Sequence, residues 1–173
     1  MKKIFETDRL FLREFTDNDY NDLCEILQDK DVMYAYDHSF SEDEVKNWYD
    51  KLIAGHYEKH GFGLWAVIHK GTKEFLGQCG LTIQDLNGKE YLEIGYLFKK
   101  EHWHKGYAAE AALGCKKYAF EKLSAKSVYS IIRESNIASQ NVAKRIGMEK
   151  TDEVMKHYYN MDMPHYIFKA KNG

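Results

Sequence analysis

The sequence predicts a mixed α+β fold built on a mostly antiparallel, twisted central sheet of six to seven strands with helices on both faces. Three observations carry this expectation. Residues 62–98 hold three apolar runs joined by short polar turns, the pattern of an antiparallel meander. Residues 91–132 then read strand, Ala-rich helix, strand, an arrangement that implies a parallel pair with a right-handed crossover. Two amphipathic helical segments precede the meander, so apolar helix faces exist to cover a sheet on more than one side.

Taken in order, residues 9–15 alternate Leu10 and Leu12 against Arg9, Phe11 and Arg13 and read as the first strand. Thr16 with Asp19 is a weaker form of the capping box, and Tyr20, Leu23, Cys24 and Leu27 recur at helical spacing behind it. Ser41 with Glu44 is a fuller capping box, and Val45, Trp48, Tyr49, Leu52 and Ile53 form one apolar face of a helix that stops near Gly61. Residues 62–69 and 74–83 are strands joined by Lys70-Gly71-Thr72-Lys73, and a turn at Asn87-Gly88 leads into a third strand over 91–98. A helix over 106–123, a β-branched strand over 128–132 and a helix over 137–146 ended by Gly147 follow, and two last strands flank Pro164.

Composition narrows the function classes. At 173 residues the chain fits one domain, expected to span residues 1–173, since its single proline and the lack of Gly/Ser-rich tracts mark no internal boundary. A formal net charge of -2 with no long basic run argues against nucleic acid or an anionic membrane as partner. Cys24, Cys79 and Cys115 are odd in number, widely separated and set in apolar segments, which offers neither a disulfide framework nor a C-x-x-C metal or redox site. With no apolar leader after Met1 and no apolar stretch near membrane-spanning length, a soluble protein of the reducing cytoplasm is expected.

The segment richest in chemistry runs from Glu93 to Ala111. A strand enters a short loop, and the loop opens a helix at Gly106, with small residues at Ala108 and Ala109. Unpaired first-turn N–H groups at the positive end of a helix dipole form an anion cradle, and Lys105 adds a formal charge beside it, so a pyrophosphate is the matching guest. The loop is neither a Walker loop nor a dinucleotide fingerprint, because G-x-x-x-x-G-K-[ST] and G-x-G-x-x-G are both missing. His102 and His104 flank it as solvent-facing loop histidines, and their i, i+2 spacing without a third ligand is a poor metal site.

Trp103-His104-Lys105-Gly106-Tyr107-Ala108 resembles the pyrophosphate loop of GNAT acetyltransferases, written Q/R-x-x-G-x-G/A, in the form found in the RimJ/RimL-type branch, which tends to carry Trp first and glycine where His104 stands. Thr7-Asp8-Arg9-Leu10 at the start, Leu76-Gly77-Gln78-Cys79-Gly80 in the meander and Asn136-Ile137-Ala138-Ser139 to Gly147-Met148 near the end extend the resemblance over most of the chain, in the family's order. The resemblance implies an acetyl-CoA-dependent N-acetyltransferase with no metal, acting as a monomer or homodimer on a small amine or a protein N-terminal amine. It implies that Tyr96, Leu97 and Phe98 lie on a strand that splays from its parallel neighbour and pairs with pantetheine through the main chain. One N–H near Tyr96 or Leu97 would polarise the thioester carbonyl. The loop residues Trp103 to Ala109 would hold the pyrophosphate and Asn136 the pantetheine amide.

Direct attack by the amine then requires a base. Glu93 stands where the family often carries a carboxylate acting through water; the other reading makes it an outward-facing or orienting strand residue. Asp37 and His38, in the segment that usually contributes to the acceptor pocket, are weaker candidates. Many relatives protonate the leaving thiolate from a tyrosine seven residues after the asparagine, but Ala143 stands there, which leaves Ser139 as the nearest substitute or, equally, as a helix-start residue bonding backbone. The missing tyrosine also opens a second function: a degenerate domain that binds acyl-CoA as a sensor.

Overall fold

A computed structural model describes residues 2–173. Eight strands form one sheet in the order β1-β2-β3-β4-β5-β6-β8-β7. These are β1 (Lys3–Glu6), β2 (Leu10–Arg13), β3 (Leu64–His69), β4 (Phe75–Leu86), β5 (Lys89–Phe98), β6 (Ser127–Arg133), β7 (Glu149–Tyr158) and β8 (Met161–Lys171). The helices are α1 (Tyr20–Leu27), α2 (Glu42–Trp48), α3 (Gly55–His60), α4 (Tyr107–Glu121) and α5 (Ile137–Arg145). All neighbouring strands pair antiparallel except β5 and β6, so the mixed sheet and its single parallel unit are as expected.

Three details depart from the sequence expectation. The sheet has eight strands rather than six or seven, because β1 forms an edge beside β2. Four residues are too few for a periodicity to show, and what fixes β1 is tertiary: Phe5 packs edge-on against Trp65 at a centroid distance of 6.0 Å and covers Gly114 of α4. Pro164 lies inside β8 instead of between the last two strands. The β6–β8 register ends at Arg133↔His165, so Pro164 keeps only β7 as a ladder neighbour, opposite Met155, and its missing N–H is tolerated. The hairpin turn is Tyr159-Asn160, both at positive φ (49° and 58°), without the glycine that would have marked it. Finally, the helix after Ser41 reaches Gly61 through a π-helical segment, Tyr49–Ala54, between α2 and α3.

The remaining local signals act as read. Ser41 and Glu44 close a reciprocal capping box, Gly61 ends α3 at φ 74°, and Asn87-Gly88 turns the β4–β5 hairpin at φ 55° and 80°. Strand β3 is buried on both sides. Trp65 and Val67 join the core beneath α4 and α5, while Leu64, Ala66 and Ile68 join a second core beneath α1 and α2. Helices therefore cover both faces, and the sheet's middle is fixed from both sides. Cys79 and Cys115 meet in the first core with their sulfurs 3.5 Å apart, and burial pushes the Cys115 thiol well above its ordinary value, whereas Cys24 is only half-buried. No helix among the described residues is long and apolar enough to cross a membrane.

Candidate active site

The site begins where the parallel ladder stops. β5 and β6 share one register pair, Glu93↔Tyr129. Past it, side chains take the place of ladder bonds: the Ile131 N–H donates to Glu93 Oε2 at 2.9 Å, and the Ser130 hydroxyl donates to the Ile94 carbonyl at 3.0 Å. The strands then part, and Gly95, Tyr96 and Leu97, paired with β4 on one side, line a cavity of about 330 Å³ instead of facing β6 on the other. Backbone polar groups so freed need a partner, and a bound chain can supply one.

The gap is kept open from both sides. Tyr96 reaches across it, its hydroxyl donating to the Ser139 carbonyl in the first turn of α5 at 2.9 Å. On the other face of β5, a Cβ added to Gly95 would meet nothing closer than Leu64 Cδ2 at 3.7 Å. Packing there leaves room for a Cβ.

Beyond Phe98 the chain turns sharply. The Trp103 indole N–H donates to the Phe98 carbonyl at 3.0 Å, tying the loop to the end of β5 and occupying a main-chain acceptor of Phe98, whose side chain is buried in the core. His104 sits at φ 60° and Gly106 at φ 79°, so the position where the related loop carries glycine does adopt the left-handed conformation, here with a histidine. Gly106 caps α4 without a side-chain hydrogen bond, and the first-turn N–H groups of Tyr107, Ala108 and Ala109 face outward without a cap. Glu110, the one acid of that turn, is engaged elsewhere. It accepts from the Thr7 hydroxyl (2.6 Å), the Arg9 N–H (2.8 Å) and Arg9 Nε (2.7 Å), while Arg9 Nη1 donates to the Lys105 carbonyl at 2.9 Å. Arg9 also lies over the Tyr107 ring at 4.5 Å.

Residues 103–109 and the cavity are thus two groups, joined by the free edge of β5. Glu93, Tyr96, Leu97, Asn136 and Ser139 come together in the cavity; Asp37 and His38 do not line it. His38 bonds Glu44 at 2.8 Å and contacts the Tyr159 ring, while Tyr36 and Phe40 contribute the lining instead. His102 is buried, with Nε2 3.2 Å from the Glu74 carboxylate, rather than solvent-facing as expected; the short turn that docks Trp103 carries it inward. His104 is exposed. Among the described residues no group of three or more His, Cys, Asp or Glu side chains is placed to hold a metal ion.

Electrostatics single out Glu93. Burial raises its carboxyl above the ordinary 4.5, opposed by Lys156 and by the Ile131 N–H. Burial likewise drives the Tyr96 phenol well above its ordinary value, so it holds its proton. Asn136 caps α5 by accepting from the Ser139 N–H at 3.2 Å, and the same oxygen accepts the Tyr34 hydroxyl at 2.7 Å. Ala143 is fully buried in the core.

Sequence reasoning passed over four contributors. Arg9 was visible only as part of Thr7-Asp8-Arg9-Leu10, whose role as a brace for the Lys105-Gly106 loop needs a contact about a hundred residues away. Tyr96 was read for its main chain, not its hydroxyl. Lys156 and Arg133, from strands far apart in sequence, both reach the cavity wall with no motif to mark them.

Comparison with known proteins agrees with this geometry. Residues 9–149 match the family described as Acetyltransferase (GNAT) domain. An uncharacterized protein of Bacillus subtilis, YkkB, is 35% identical over 167 residues, covering 96% of this chain and 95% of its own length. The uncharacterized N-acetyltransferase YoaA of the same organism is 27% identical over 167 residues, with 95% and 93% covered. Among solved structures, a GNAT-family acetyltransferase from Bacillus anthracis superposes with a TM-score of 0.79 at 25% identity, covering 96% of each chain. Family match, full-length relatives and the splayed parallel strands converge: the chain belongs to the GNAT family and is an acetyltransferase.

Proposed function

We propose that this chain, acting as one domain over residues 1–173 in the cytoplasm, transfers an acetyl group from acetyl-CoA to a primary amine by direct attack in a ternary complex. The observation that carries this reading is the pairing of an unladdered β5 edge with an uncapped helix start along one continuous path from Glu93 to Gly106. Acetyl-CoA supplies an activated acetyl thioester. The residues present fit it: the Gly95, Tyr96 and Leu97 main chain offers strand-like pairing to pantetheine, Asn136 adds an amide, and the N–H groups of residues 107–109 with Lys105 match a pyrophosphate. A Cβ at Gly106 would meet Arg9 Nη2 at 3.4 Å in a left-handed conformation, so a side chain there would disturb both the cradle and its brace.

In the reaction the amine nitrogen forms a bond to the acetyl carbon, the carbon–sulfur bond breaks, and one proton leaves the ammonium while another reaches the thiolate. Glu93 serves as the base, through water; burial raises its carboxyl above the ordinary carboxylate value, which makes it a better proton acceptor than an exposed glutamate. An N–H of β5 at Tyr96 or Leu97 polarises the thioester carbonyl. For the returning proton, Ser139 and Tyr96 are the hydroxyl-bearing side chains at the α5 side of the cavity. Cysteine chemistry has no support in this geometry, because Cys79 and Cys115 are buried against each other. The loop's leading Trp103 and the Asn136-x-x-Ser139 arrangement support membership of the RimJ/RimL-type branch.

One observation favours a second reading: Ala143, packed in the core, stands where many relatives carry an acid, so a sensor of acyl-CoA would retain the cradle and lack turnover. Thiol release from acetyl-CoA across a panel of amines and N-terminal peptides decides between them. Turnover with any amine supports the enzyme; tight CoA binding with no release on any acceptor supports the sensor.

A further inference from the structure

We infer that the amine acceptor bears a carboxylate close to its reactive nitrogen, as a free α-amino acid does, and that Lys156 and Arg133 hold that carboxylate. The inference rests on the proposed acetyl transfer and specifies its acceptor.

Register places the two cations on one face of the sheet, with β8 between them. Arg133 pairs with His165, and His165 pairs with Val154, so these three share one face of the sheet. Lys156 pairs with Met163, each two residues from that row, and so points to the same face. Arg133, Lys156, Met163 and His165 all line the cavity that Glu93 lines from the opposite side. His165 Nδ1 is engaged by the Met163 carbonyl at 2.8 Å, and burial, with Lys156 and Arg133 adding to it, lowers this ring below its ordinary value against that hydrogen bond.

Neither cation is in salt-bridge contact with a carboxylate, although Lys156 is near enough to Glu93 to favour its charged form. Among the described residues no carboxylate lies within 4.0 Å of Lys156 or Arg133, whereas Lys99 holds Asp22 and Glu25 at 2.6 Å and Lys100 holds Asp31. Arg133 spends one N–H on the Ala35 carbonyl at 3.4 Å, and the Lys156 ammonium stands 5.5 Å from the Tyr158 ring centroid. A guanidinium and an ammonium left unpaired in a half-closed aromatic cavity are a receptor for an anion. The sole carboxylate in the lining is Glu93, which the reaction uses. A polyamine would bring a second cation against Lys156 and Arg133 and find no acid to receive it; an α-amino acid presents its amine to Glu93 and its carboxylate to the pair. Tyr36, Phe40 and Trp48, in mutual edge-on contact at 5.7–6.1 Å, form an aromatic wall for the remaining side chain.

The test measures thiol release from acetyl-CoA with the twenty common amino acids, the corresponding amino acid amides, C-terminally amidated peptides and spermidine. At least one amino acid is expected to exceed its own amide by tenfold or more in kcat/KM. The comparison is conservative, since the amide's less basic amine is the more reactive at neutral pH. Arg133→Gln should raise KM for that amino acid about tenfold, leaving the amide's kcat/KM and the affinity for acetyl-CoA unchanged; Lys156→Gln, which also removes a charge that favours the ionised form of Glu93, is scored by the acid-to-amide ratio of kcat/KM, which should fall about tenfold. Equal or better turnover of amides, peptides or spermidine overturns the inference while leaving acetyl transfer intact, as does a loss that falls equally on acid and amide. Failure of every amine to release thiol overturns the acetyl-transfer proposal and this inference with it.

Discussion

Replacing Glu93 by Gln isolates proton acceptance from every other property of the site. The amide oxygen can take the Ile131 N–H that Oε2 now accepts at 2.9 Å, so the end of the β5–β6 ladder keeps its geometry. Exchanging a charged acceptor for a neutral one weakens that bond by about 1 kcal/mol, but the substitution also removes a carboxyl whose charged form burial disfavours. Stability should therefore change by no more than about 1 kcal/mol, or roughly 2–4 °C in Tm for a chain of this size. Catalysis should change far more. A positioned general base contributes about 10²–10⁴ in rate, equivalent to about 3–5 kcal/mol, and because this base acts through water the lower end is expected, about a hundredfold in kcat with acetyl-CoA affinity unaltered. The pH profile supplies the second readout. Glu93 must be deprotonated to act, and its folded value is raised, so wild-type kcat/KM should fall, as pH drops, at a point above the ordinary carboxylate 4.5; the variant should lose that limb. Linkage runs the same way: the native state binds this proton more tightly than the unfolded chain, so the carboxyl's contribution to stability is complete below the ordinary value and declines as pH rises through the raised one. A Gln variant that retains kcat within threefold and the same acidic limb would refute the assignment of Glu93 as base.

Gly106→Val should weaken acetyl-CoA binding at least tenfold by calorimetry and lower stability by about 1–2 kcal/mol, since a β-branched residue resists the left-handed conformation; an unchanged dissociation constant would contradict the pyrophosphate cradle. Arg9→Ala removes the brace on the Lys105 carbonyl and the partner of Glu110; as Arg9 is partly exposed, thermal stability should drop by less than about 1 kcal/mol, while acetyl-CoA affinity falls several-fold because the loop is no longer held. For the thiolate's proton, Tyr96→Phe and Ser139→Ala compete. The variant that lowers kcat and abolishes the basic limb of the pH profile identifies the donor, and two variants of wild-type kcat would exclude both hydroxyls.

What the sequence could disclose was local. Capping boxes at Ser41, the Asn87-Gly88 hairpin and the Gly106 helix start depend on contacts within four residues, so their chemistry is written in adjacent letters. The edge strand β1 is not local: Phe5 has a place because Gly114 and Trp65 leave one, and no reading of four residues contains that fact. Pro164 misled for a related reason. A proline read alone marks a break, yet at a position where one neighbouring strand has already ended it interrupts nothing.

The same distinction separates the two halves of the site. The half that would bind a cofactor common to many enzymes is, apart from Asn136, a single stretch from Glu93 to Ala109, because a strand edge and the helix that follows it are consecutive in the chain. The proposed acceptor half draws on Tyr36 between α1 and α2, Arg133 at the end of β6 and Lys156 on β7, three segments brought to one cavity by the sheet. Net charge near zero concealed the local excess of cations, since the acids that balance them lie elsewhere on the surface. Substrate choice in such a fold is a property of strand register: shifting β7 against β8 by one residue would turn Lys156 to the opposite face and leave the chemistry of Glu93 untouched. A chain that kept the Glu93–Gly106 path but altered the β7–β8 hairpin should therefore acetylate a different amine at a similar rate.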